Sequence, residues 1–116
     1  MAKNIVFNDG DNLPSLPVAS GTVSGDPVLV GSDLASGLVG VAMTSRGEGG
    51  NASTHASVQL KGVVSVTVTG AVTVIGAPVY ITAANAVNTT NTNVLFGYAL
   101  ETKAAGASVI KVRLKG

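Results

Sequence analysis

The chain has 116 residues, a formal net charge of +1, 15 glycines, four prolines and no cysteine, and only 11% of its residues are charged. A chain of this length makes one domain that buries about two-thirds of its unfolded surface. Near-neutral charge argues against nonspecific binding to nucleic acid or a membrane surface, and the missing thiols exclude a disulfide framework and a thiolate metal site.

Aliphatic residues are plentiful, but the aromatics are limited to Phe7, Tyr80, Phe96 and Tyr98. A core built mainly of valine is thin, so such a domain gains stability by associating with its own copies or with a scaffold. A homotrimer is expected, with contacts made from aliphatic strands and not from ion pairs. No apolar run approaches a membrane-spanning length, and the opening Met1-Ala2-Lys3-Asn4 lacks the apolar region of a secretory signal. Synthesis in a cytoplasm is the expectation.

In chain order, Asn4 to Phe7 is a short apolar segment, followed by the turn cluster Asn8-Asp9-Gly10-Asp11-Asn12. Pro14 and Pro17 then restrict Leu13 to Ser20 to an extended path. Residues 1–20 are expected to form an N-terminal arm, and residues 21–116 a single β domain. The candidate contact residues are Lys3, Asn4, Ile5, Val6 and Phe7, since such an arm can add a strand to an exposed edge on a neighbour, with Ile5 and Phe7 on one face.

The body repeats itself. Gly25-Asp26-Pro27-Val28-Leu29-Val30 returns as Gly76-Ala77-Pro78-Val79-Tyr80-Ile81, a shift of 51 residues (25 to 76). Leu38-Val39-Gly40-Val41-Ala42 returns as Leu95-Phe96-Gly97-Tyr98-Ala99, and Gln59-Leu60-Lys61-Gly62 as Arg113-Leu114-Lys115-Gly116. The shifts are 57 (38 to 95) and 54 (59 to 113), so spacers drifted while the order of phrases held. All are strand-like. From Val58 to Thr69 the residues alternate: Val58, Leu60, Val64, Val66 and Val68 share one face, while Gln59, Lys61, Ser65, Thr67 and Thr69 take the other with the exception of Val63. Twelve residues is long for one strand, so Gly62 is expected to mark a bend where the chain changes sheets. Ser45 to Thr54 and Ala83 to Asn93 are polar connections, the second expected to be a surface loop. In the last strand Ile110, Val112 and Leu114 face inward, and Lys111, Arg113 and Lys115 outward. The expected fold is all-β: a small antiparallel β-barrel or sandwich with two similar halves and an extended N-terminal arm.

Chemistry-bearing motifs are few. His55 is the only histidine, so no site with two imidazoles forms within one chain, and it is expected to be a solvated loop residue. Gly47-x-Gly49 lacks a following helix to present to a phosphate. Asp9-Gly10-Asp11-Asn12 has Pro14 where a calcium loop needs glycine and Ser20 where it needs the bidentate glutamate. Asn51-Ala52-Ser53 and Asn88-Thr89-Thr90 match the glycosylation pattern but indicate only exposed polar loops. The stripe Lys111, Arg113, Lys115 reads first as an edge strand protected by positive charge, and second as a contact with an acidic partner. It lacks flanking aromatics for base stacking, so no nucleic acid is expected. Neither catalysis, nor a cofactor, nor a metal site is expected.

Taken together, the opening Met-Ala-Lys-Asn with Asp9-Gly10-Asp11, Ser24 to Gly31, Leu38 to Ala42, Gly76 to Tyr80 and the ending Val112-Arg113-Leu114-Lys115-Gly116 resemble a family of small tailed-phage proteins known as capsid cement or head decoration proteins. The chain departs from that family in the length of its polar connection Ala83 to Asn93 and in Thr44-Ser45-Arg46-Gly47-Glu48, where acidic residues are usual. The resemblance implies a β-rich subunit that trimerises on the outside of the mature head and bridges neighbouring major capsid proteins, with no membrane partner. Two other readings stand beside it. Leu100-Glu101-Thr102-Lys103-Ala104 resembles the modified-lysine hairpin of lipoyl and biotinyl carrier domains, with Thr102 at a position those families give to an acidic residue or methionine. The other is a head-surface adhesive module that binds host glycans, for which the chain has few aromatics to offer.

Overall fold

The computed structural model describes residues 12–30 and 37–115. The described chain forms nine strands: β1 (Asn12–Pro17), β2 (Pro27–Leu29), β3 (Val39–Ala42), β4 (His55–Gln59), β5 (Val63–Thr69), β6 (Pro78–Ile81), β7 (Val87–Asn88), β8 (Val94–Ala99) and β9 (Ala107–Leu114). No α-helix occurs among the described residues. The strands make a four-stranded sheet in the order β1-β4-β3-β2 and a closed ring in the order β5-β7-β6-β8-β9.

The two halves carry the same register. Pro27 pairs with Val41 and Val28 with Gly40; at the repeated positions Pro78 pairs with Tyr98 and Val79 with Gly97. Val41 and Ala42 pair with Gln59 and Val58, as Tyr98 and Ala99 pair with Arg113 and Val112. Asn12 and Leu13 also pair with Gln59 and Val58, as Val63 and Val64 pair with Arg113 and Val112. The order β1-β4-β3-β2 therefore returns as β5-β9-β8-β6. Turn hydrogen bonds repeat too: Gly25 N donates to Ala42 O at 2.8 Å, and Gly76 N to Ala99 O at 2.7 Å. Gly40 and Gly97 show why the phrase needs glycine. A Cβ at Gly40 would strike Gln59 O and Val58 Cγ1, and one at Gly97 would strike Arg113 O and Val112 Cγ1.

Alternation assigns the core as expected. Val58, Leu60, Val64, Val66 and Val68 are all buried, and so are Ile110, Val112 and Leu114. Gly62, with φ +98°, sits between β4 and β5, where the chain leaves one sheet for the other. The two sheets share their packing. Leu29, Val39 and Val41 join the cluster formed by the ring, while Val28, Val30 and Ala42 join Val18, Ala56, Val58 and Leu60 on the other face of the first sheet. β3 is buried along its whole length for that reason.

Three local expectations change. The connection Ala83 to Asn93 is not only a surface loop: it contains β7, which pairs parallel to β5 and antiparallel to β6 and closes the ring, with Val87 buried. β9 is not an edge strand, being paired to β5 on one side and β8 on the other. His55 opens β4 and is half-buried, so it is not a solvated loop residue. The proline-bearing stretch is extended, as its fixed φ requires, and Asn12–Pro17 pairs with β4.

Candidate functional site

Lys3, Asn4, Ile5, Val6 and Phe7 lie outside the described residues. The described chain begins at Asn12, opposite Gln59, on β1 at one border of the four-stranded sheet. β1 carries Pro14 and Pro17, two residues without an N–H, as suits an unpaired edge.

The other border, β2, is capped from the second half. Ala42 N donates to Asp26 O and Val30 N to Leu38 O, so the backbone groups of Asp26, Val28 and Val30 face β3. Alternation turns those of Pro27 and Leu29 outward. Pro27 has no donor, and the Leu29 N–H donates to Asn85 Oδ1 at 2.9 Å. Asn85 sits in the turn before β7 with φ +64°, a left-handed conformation that asparagine tolerates. At the repeated position, Tyr80 pairs with Asn88 of β7. The second half thus closes its own ring with a strand and blunts the first half's edge with a side chain. An open groove of about 350 Å³ runs along this junction between Asp26, Pro27, Ser65, Thr67, Asn85 and Val109.

The candidate chemical residues are occupied in structural roles. Lys103 Nζ donates to the carbonyl oxygens of Gly70, Ala104 and Gly106 at 2.5, 2.7 and 2.6 Å. An ammonium has three protons, and here each has a backbone acceptor. The arrangement pins the β9 entrance to the β5 exit and argues against the carrier reading, which needs a free amine. His55 Nδ1 lies 2.8 Å from Thr54 Oγ1, so its hydrogen-bond partner is a threonine and not the serine–carboxylate pair a general base requires. Asn51, in the first glycosylation pattern, donates from Nδ2 to Glu48 O at 2.7 Å and to Ser57 Oγ at 3.3 Å, holding the Gly47–Gly50 turn against β4. No group of three or more metal-ligating side chains occurs among the described residues.

The stripe on β9 splits. Lys111 and Arg113 are exposed, whereas Lys115 is half-buried and its ammonium is pushed below the ordinary lysine range by desolvation. Sequence alternation could not separate them, because the Lys115 ammonium lies beside Gly37, which is 78 residues earlier in the chain.

A family model described as phage cement protein matches residues 7–114, nearly the whole chain. The chain belongs to the phage cement protein family. Neither a curated protein nor a solved structure matches it. Phage cement proteins are structural components of the bacteriophage capsid. The duplicated strand ladder of this cement protein is what sequence comparison within the chain detected; the Asn85 cap and the Lys103 cradle were missed. Asn85 lay within a low-complexity run that offered no signal, but Lys103 had one: its place in the connection leading to β9.

Proposed function

We propose that this protein is a non-enzymatic decoration subunit that sits on the outer surface of the phage head and stabilises contacts between major capsid proteins. The observation that carries the reading is the family match across residues 7–114. The physical properties of the chain support it. Cementing needs a rigid shape presented in many copies, and two interlocked sheets with a shared core supply rigidity. Association as a homotrimer multiplies weak contacts, because linking subunits raises the effective concentration at the second and third sites by orders of magnitude. Internal pressure must then break several contacts at once.

Within this reading, Lys3 to Phe7 is the docking arm. The borders of the first sheet carry prolines and the Asn85 cap, which favours an acceptor strand on the capsid over one on a second copy. The test is to add the purified protein to heads of the source phage assembled without it. Saturable binding to the head exterior and a higher head-disruption temperature are expected. Heads that neither bind the protein nor gain stability would refute the assignment.

A further inference from the structure

The outer face of the closed ring carries positive charge that no described side chain neutralises. Register places Arg113 between Val63 on β5 and Tyr98 on β8, and sets Lys111 opposite Ser65. All five side chains are exposed, and Val109, on the same face of β9, is 64% exposed. Positive charge on a border strand guards against stray pairing, but that account does not apply to β9. Leu100 N donates to Lys111 O, Lys115 N donates to Phe96 O, and Leu114 N donates to Gly62 O, so the strand is hydrogen-bonded to both neighbours around the two cations. There is no edge here to protect.

Neither cationic head has an ion-pair or hydrogen-bond partner among the described residues. Among the described residues, the carboxylates of Glu101 and Asp26 are held by main-chain donors. Glu101 Oε1 accepts from the Lys111 N–H at 3.2 Å, and Asp26 Oδ2 accepts from the Val23 N–H at 3.0 Å. The surround is apolar and hydroxylic, with Val63 52% and Tyr98 38% exposed. Arginine and tyrosine beside exposed aliphatics is the composition of a protein contact, where those two residue types carry much of the binding energy.

We propose that the β5-β9-β8 face docks an acidic patch on the major capsid protein, with Arg113 and Lys111 as the charge contacts and Tyr98, Val63 and Val109 as the apolar surround. Charge complementarity selects the partner: two cations that have no ion-pair partner among the described residues are satisfied by an acidic surface. The inference rests on the cement reading and adds a second contact surface to the docking arm.

The test compares wild type, a K111E/R113E variant and a milder K111Q/R113Q variant for binding to heads assembled without this protein, over a salt series. Wild-type affinity should fall as salt rises, and the charge reversal should lower affinity at least about tenfold at low salt. The glutamine variant should be intermediate and lose most of the salt dependence. Both variants should melt as wild type does, because the Lys111 and Arg113 side chains have no partner among the described residues. If wild type binds heads and both variants bind with the same affinity and salt profile, the face is not the docking surface, though the cement reading survives. If wild type itself fails to bind, both fall. If the reversal instead lowers the oligomer mass in light scattering while head binding per subunit is unchanged, a second copy covers the face and the capsid assignment is overturned.

Discussion

Two glycines and two lysines have structural roles that single substitutions can test. Gly40 and Gly97 occupy equivalent places where a Cβ would collide with the carbonyl oxygen of the paired strand. Alanine at either should cost about 1–3 kcal/mol, the range typical of overpacking, measured by urea denaturation. Similar losses at both sites would show that the halves are equivalent energetically as well as in register. Lys103 ties three carbonyls together, and Lys103→Ala should cost about 1–3 kcal/mol, since bonds to a charged donor are the stronger kind. Lys115 behaves in the opposite sense. Burial lowers its folded-state pKa below 10.5, so near neutral pH the folded chain bears the cost of a desolvated charge. The unfolded state binds the proton more tightly, so this group's contribution to stability improves as pH rises through the folded pKa toward 10.5. Lys115→Gln should remove that rise from a stability profile taken over the alkaline range.

At the scale of elements, one repeated sheet has two different fates. The first half remains a four-stranded sheet, and the second becomes a ring because its longer polar connection contributes β7. The duplicated phrases are legible in the sequence because strand pairing needs the same apolar alternation and the same glycine in both copies. β7 was not legible. A strand of only two residues, Val87–Asn88, has no period to detect, and its pairing is decided by β5 and β6, which flank it in space. The Asn85 cap predicts a clean separation of effects. Asn85→Gly keeps the left-handed turn but removes the acceptor for Leu29 N–H, so it should cost about 1 kcal/mol and speed amide exchange at Leu29. Asn85→Ala should cost more, because alanine also strains the turn.

For the whole molecule, assembly is the property to measure. The cement reading anticipates a free homotrimer, and light scattering over a dilution series should give about three subunit masses at micromolar concentrations. A mass of one subunit would remove the free trimer and leave assembly to the head surface. Deleting residues 2–7 tests the arm. Under the arm reading the shortened protein should melt like the full chain, yet it should no longer decorate heads. A truncated protein that binds fully, or one that unfolds, would show that Lys3 to Phe7 serves another purpose.

The sequence by itself determined the class of fold, the duplication, the buried faces of β5 and β9, the bend at Gly62 and the family. Each of these is written in local patterns: alternation follows from the pleat, and the recurring glycines follow from close strand contact. Tertiary structure alone decided the rest. Whether Lys111 and Arg113 guard an edge or face a partner depends on what lies beside β9, and the answer comes from β5 and β8, brought next to it by ring closure. Whether Lys103 is free depends on the carbonyl of Gly70, 33 residues earlier in the chain. Whether β2 is open depends on Asn85, 56 residues later. A hydrogen bond is made with whichever group lies within about 3 Å, and sequence alternation specifies which way a side chain points but not what it meets there.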